Sequence, residues 1–154
     1  AYRDGPLPIG EGQTISQPYI VAEMIQALDP QADDKILEIG TGSGYAAAIL
    51  AEIVETVYGV ERYQSLVNQS QQNLAELDYN NITLHAGDGT KGWAEEAPYD
   101  GILVSAGAPE IPPSLLEQLV EGGHLVIPVG TKNVQQLYQI QKLADGKLHK
   151  NELG

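Results

Sequence analysis

Three glycines at alternate positions, Gly40, Gly42 and Gly44, stand between a short apolar run and an Ala-rich run. Glycine lets a chain turn sharply and lets backbone approach a ligand without side-chain obstruction. The full loop reads Glu38-Ile39-Gly40-Thr41-Gly42-Ser43-Gly44-Tyr45. Dinucleotide enzymes usually space their glycines G-x-G-x-x-G and hold a pyrophosphate at the following helix N-terminus. The tighter spacing here, with Glu38 just before it, points to a different ligand in the same place. A tight strand-to-helix turn with no ligand is the alternative.

Two more acidic residues follow at strand ends. Glu61 closes the next apolar run, 21 positions after Gly40. A carboxylate there can accept hydrogen bonds from both ribose hydroxyls; otherwise it is an exposed strand-end group. Asp88 lies in Gly87-Asp88-Gly89, just after a third run. It can accept from an adenine amino group, or it is a turn Asp between glycines. These positions fit S-adenosylmethionine, which has no phosphate. Its ammonium could be held by Glu38 directly or through water. The expected cofactor-binding set from the loop onward is Glu38, Gly40, Thr41, Gly42, Ser43, Gly44, Glu61, Asp88 and Gly89.

Near the N-terminus, Ser16 stands before Pro18 and an apolar-periodic stretch, where a helix N-cap belongs. Sequence alone favours the cap over a chemical role. His85, His124 and His149 are scattered and have no metal-ligand spacing, so no metal is expected. Trp93 reads as packing rather than a ligand platform.

The elements that must position these residues alternate in type. Strands are expected at Lys35–Gly40, Thr56–Glu61, Ile82–Ala86, Gly101–Ser105 and Leu125–Val129. Helices are expected at Pro18–Leu28, Tyr45–Val54, Tyr63–Leu77 and Ser114–Val120, the last capped by Gly122-Gly123. Such alternation predicts a Rossmann-like α/β fold, a doubly wound, mostly parallel sheet with helices on both faces. Only Gly130–Asn133 separates Leu125–Val129 from Val134–Lys142, too short for a parallel crossover. That pair is expected to be an antiparallel C-terminal hairpin. Asp145-Gly146 then turns the chain again.

At 154 residues the chain fits a single domain, with 1–17 as an active-site loop segment and 18–154 as the α/β core. The net charge is −13 and the two Arg, Arg3 and Arg62, form no cluster. A phosphate backbone would be repelled, so nucleic acid is ranked low as a partner. No apolar run approaches the ~20 residues of a membrane helix. Cysteine is absent, which excludes disulfides and thiolate metal sites. These features favour a cytoplasmic protein that does not engage membranes. Phenylalanine is also absent, which leaves open an engineered or consensus-like sequence.

Several stretches resemble one family, the protein-L-isoaspartate O-methyltransferases. They are Pro6–Tyr19 (PLPIGEGQTISQPY), Leu37–Tyr45 (LEIGTGSGY), Gly87–Gly89 with Gly92-Trp93, Glu96–Asp100, Ala108–Pro112 and Gly122–Gly130. The stretches around Gln13–Pro18 and Ala108–Pro112 are the most specific. The resemblance implies methyl transfer from S-adenosylmethionine to the α-carboxylate of L-isoaspartyl residues, leaving S-adenosylhomocysteine. It implies isoaspartyl peptides and damaged proteins as partners, in a repair role. It makes Ser16 the active-site residue, reversing the cap reading, and sets Thr14 and Ile15 against cofactor and substrate. Family members normally carry more helical sequence upstream of Ala1 and a final strand beyond Gly154. The protein is expected to be a monomer, with dimerisation through a truncated, exposed sheet edge as the alternative. The competing functions are a methyltransferase for another acceptor, a nicotinamide-dependent oxidoreductase, and a truncated or engineered cofactor-binding domain with little or no turnover.

Overall fold

A computed structural model describes residues 7–10, 13–15, 18–131 and 135–153, with side chains from Ile20 onward. Parallel strands β3 (Lys35–Ile39), β4 (Thr56–Glu61), β5 (Ile82–Ala86) and β6 (Tyr99–Val104) arise from the apolar runs. They are joined through helices α2 (Tyr45–Ile53) and α3 (Gln64–Glu76), and through short helical turns at Gly89–Lys91 and Ala94–Glu96. Helix α1 (Pro18–Leu28) precedes them, and α4 (Pro113–Glu117) leads from β6 to β7 (Leu119–Gly130). Strands β8 (Gln135–Lys142) and β9 (Leu148–Leu153) complete a seven-stranded sheet in the order β5-β4-β3-β6-β7-β8-β9.

The order reverses at β3. β4 and β5 lie to one side, β6 and β7 to the other, all parallel to it. β8 and β9 are antiparallel additions. The crevice outside the C-terminal ends of β3 and β6 is the switch point where open α/β sheets bind ligands.

Strand alternation builds a core on each face. Ile36, Val57, Leu103 and Val126 face one way and pack with Val21, Met24, Ile25 and Leu28 of α1 and Leu50 of α2. Leu37, Val60, Ile102 and Leu125 face the other, with Leu115 of α4 and Tyr99. By the same alternation Glu38 shares the face of Ile36. Among the described residues, no helix is long and apolar enough to cross a membrane.

One expectation is corrected and two are extended. Gly122-Gly123 does not cap a helix. The fourth helix ends at Glu117, and the chain enters β7 at Leu119, whose side chain is buried opposite Tyr99. The β6–β7 register then jumps from Tyr99↔Leu119 to Gly101↔His124. The glycine pair makes this bulge possible: Gly122 has φ +86, and a Cβ on Gly123 would lie 2.7 Å from the Asp100 carbonyl oxygen. Second, the chain does not merely turn at Asp145-Gly146. It returns as β9, whose residues are almost all exposed, so no apolar alternation marks it. Third, the Gly- and Pro-rich segment at the N-terminus contains a small antiparallel pair, β1 (Leu7–Gly10) and β2 (Gln13–Ile15).

Candidate active site

The glycine loop leaves β3 at Ile39 and enters α2 at Tyr45. The Gly40 amide donates to the Val60 carbonyl at 2.8 Å, extending the β3–β4 ladder by one bond. The Gly44 amide donates to the Thr41 carbonyl at 2.8 Å and closes the turn. Gly40, Gly42 and Gly44 all have left-handed φ, at +81°, +54° and +90°. A side chain there would be strained. Gly44 is the N-cap of α2 and supplies no side-chain cap, so the first-turn amides keep their capacity for a ligand.

Two buried carboxylates flank this loop. Glu38 is only 1% exposed. Its Oε2 accepts from Ser105 Oγ at 2.6 Å, while Oε1 has no hydrogen-bond partner. Burial pushes this carboxyl up to about 8; the Ser105 hydrogen bond opposes that rise and the charge on Glu61 adds to it. The neighbour of Glu38 is thus a second acid rather than a cation. Glu61 is 5% exposed, and its Oε2 accepts the Gly42 amide at 3.0 Å. Ser70 Oγ donates to the Gly42 carbonyl from α3, so Gly42 is held on both sides.

The remaining loop residues differ in what surrounds them. Thr41 is buried, and its Oγ1 also lacks a partner. Its methyl occupies space that a Cβ on Gly59 would enter, 2.5 Å away. Ser43 is half-buried in the loop. Asp88 is exposed, and its Oδ1 accepts the Thr90 hydroxyl at 2.7 Å and the Thr90 amide at 3.0 Å. These bonds hold its carboxyl below the usual carboxylate range. The visible work of Asp88 is therefore to cap the Gly89–Lys91 turn. Gly89 brings that turn onto β3, since a Cβ there would lie 2.4 Å from Ile39 Cγ2.

Glu38, the glycine loop, Glu61 and the Asp88-Gly89 turn are thus gathered at one end of the sheet. Thr14 and Ile15 are described as backbone of β2 only, and Ser16 lies outside the described residues. The histidines do not converge: His85 stacks on Trp93 at 4.9 Å, His124 is in β7 and His149 in β9. Trp93 also packs edge-on against Tyr58 at 5.3 Å. Among the described residues, no group of three or more His, Cys, Asp or Glu could hold a metal ion. Sequence reasoning missed Ser105. Its only signal was a hydroxyl closing an otherwise apolar strand run.

The sheet order and the left-handed glycine loop at its switch point define a Rossmann-like α/β domain. The family described as Protein-L-isoaspartate(D-aspartate) O-methyltransferase matches residues 1–154. A protein-L-isoaspartate O-methyltransferase of Pelotomaculum thermopropionicum is 56% identical over 154 residues, covering 100% of this chain and 67% of that protein. A solved protein-L-isoaspartate O-methyltransferase superposes with TM-score 0.89 at 30% identity, covering 99% of this chain and 50% of that one. A Plasmodium falciparum structure described as a putative protein-L-isoaspartate O-methyltransferase in complex with S-adenosyl-L-homocysteine superposes with TM-score 0.82 at 30% identity over 99% of this chain and 77% of that one. The chain belongs to the protein-L-isoaspartate O-methyltransferase family. Family and relatives indicate the function of an S-adenosylmethionine-dependent O-methyltransferase acting on isoaspartyl proteins.

Proposed function

We propose that this chain binds S-adenosylmethionine at the β3–β6 switch point and methylates the α-carboxylate of L-isoaspartyl residues. The observation that carries the reading is the buried Glu38, with one carboxylate oxygen unpartnered and a second acid as its neighbour. Such a site favours a ligand bearing positive charge. Thr41 Oγ1 is a second buried, unpartnered polar atom in the same loop. When bound, the cofactor supplies an electrophilic methyl on a sulfonium.

The chain's residues then divide the work of binding and orientation. Glu38 holds the ammonium. Gly40, Thr41, Gly42, Ser43 and Gly44 bring backbone close to the cofactor's amino-acid part. Glu61 accepts from the ribose hydroxyls, and Asp88 with Gly89 borders the adenine. Thr14 and Ile15 lie against cofactor and acceptor. Ser16 hydrogen-bonds the acceptor carboxylate and orients it. No residue needs to take a proton, because a carboxylate is already ionised at neutral pH. Attack neutralises a negative nucleophile and a positive sulfonium, so a water-poor site that aligns them accelerates transfer. The methyl ester then collapses to a succinimide that reopens in part to normal aspartate, which is the repair. In this reading residues 1–17 are the active-site loop segment and 18–154 the α/β core, and the protein works as a monomer in the cytoplasm.

Calorimetric titration with S-adenosylhomocysteine tests the site, and Ser16→Ala tests the division of labour. The variant is expected to bind S-adenosylhomocysteine like the parent and to lose most of its turnover. Absence of binding by the parent would remove the reading. An equal loss of binding and turnover in the variant would move Ser16 from orientation to cofactor binding.

A further inference from the structure

β6 ends at Val104, and the next residue turns back onto β3 with both its backbone and its side chain. The Ser105 amide donates to the Ile39 carbonyl at 2.8 Å, one step beyond the Ile39↔Val104 register. Its hydroxyl donates to Glu38 Oε2 at 2.6 Å. Ala106 follows closely enough that a Cβ on Gly40 would lie 3.0 Å from its own Cβ. Ser105 is therefore fixed by backbone on one side and by packing on the next residue. Its hydroxyl has one carboxylate oxygen to serve, and the other is left for a ligand.

The groups facing Glu38 come from three elements. Glu61 on β4 bears a like charge, Ser105 after β6 gives the hydroxyl, and its own strand supplies Ile36 on the same face. No cation among them stabilises the ionised form. An ammonium brought to Oε1 would reverse that balance.

We propose that Ser105 is a positioning residue that holds Glu38 for proton-linked cofactor binding: the empty site keeps Glu38 neutral, and ligand binding releases its proton to solvent. This rests on the proposed cofactor site and adds a residue and a linkage to it. Only the Glu38 carboxyl O–H bond breaks. Glu38 gives up one proton, and the resulting carboxylate pairs with the ligand ammonium while Ser105 keeps Oε2 in place. Affinity then rises with pH and levels off above about 8, where the free carboxyl is already ionised.

The test is calorimetric titration of S-adenosylhomocysteine, whose sulfur is uncharged, at pH 7 in buffers of different ionisation enthalpy. The slope of observed enthalpy against buffer enthalpy counts protons. The parent is expected to release about one proton per site at pH 7. Ser105→Ala should bind about tenfold more weakly at pH 7 and recover part of the loss as pH rises. Ser105→Thr, which keeps the hydroxyl, should follow the parent. Glu38→Gln should bind without proton release. Binding by the parent with no proton exchange overturns the linkage and leaves the cofactor site standing. A Ser105→Ala protein with the parent's affinity at pH 7 and the parent's pH profile overturns the role of Ser105. A parent that does not bind S-adenosylhomocysteine overturns both the site and this inference.

Discussion

Glu61 Oε2 accepts the Gly42 amide at 3.0 Å, so the carboxylate that ends β4 shapes the loop that leaves β3. The residue assigned to the ribose by position thus also holds the glycine loop, with its second oxygen available to the ligand in our proposal. Glu61→Ala removes a charged acceptor from the part-buried Gly42 amide, which costs about 1.5 kcal/mol. We expect a matching loss of stability in urea unfolding and faster hydrogen exchange at Gly42. Glu61→Gln should restore slow exchange while still weakening S-adenosylhomocysteine binding. Unchanged exchange in Glu61→Ala would show that the loop does not depend on this bond.

Two loop glycines should respond differently to alanine. Gly40 and Gly44 both have left-handed φ, which costs a non-glycine residue about 1–2 kcal/mol. A Cβ at Gly40 also meets Ala106 Cβ at 3.0 Å, whereas at Gly44 the nearest atom, Leu74 Cδ1, is at an ordinary 3.4 Å. Gly40→Ala should therefore lower the denaturation midpoint more than Gly44→Ala. The reverse order would contradict this geometry.

Glu38 makes the ligand-free protein less stable as pH rises. Its folded carboxyl is pushed up to about 8, above the ordinary value of 4.5. Between these values the folded state binds more protons than the unfolded state. The contribution is fully present below 4.5 and is lost as pH climbs through about 8. Glu38→Gln should melt with the parent at pH 4 and above it at pH 8. The gain at pH 8 is on the order of 4 kcal/mol, or about 10 °C. Thermal melts without ligand check this; a gain of the same size at both pH values would point to a cause other than ionisation.

The sheet and the glycine loop were legible because each carries a local signal. Buried parallel strands read as continuous apolar runs, and Gly40, Gly42 and Gly44 announce a turn that L side chains resist. Ser105 was not legible, because its importance comes from Glu38, 67 positions away in the chain. β9 escaped for the opposite reason: a strand with neither face buried has no period to detect. Gly122-Gly123 misled, because a glycine pair serves a bulge as readily as a helix end. The family resemblance named an acceptor that the cofactor site by itself would have left open.

Asp88 separates two roles that its position alone conflates. Its Oδ1 is engaged by Thr90 through both hydroxyl and amide. If it also borders the adenine, Asp88→Ala should weaken S-adenosylhomocysteine binding by about tenfold, the worth of one charge-assisted bond. Thr90→Ala, which removes the side-chain contact alone, should weaken it far less. Equal effects in calorimetry would assign Asp88 to the turn.

The central claim is that this chain transfers a methyl group to isoaspartyl carboxylates. Its most direct measurement is methyl incorporation from labelled S-adenosylmethionine into a matched pair of peptides, one with L-isoaspartate and one with normal L-aspartate at the same position. The isoaspartyl peptide is expected to be labelled as a base-labile ester, with the aspartyl peptide left unlabelled. Equal labelling of both, or labelling of neither by a protein that binds S-adenosylhomocysteine, would contradict it.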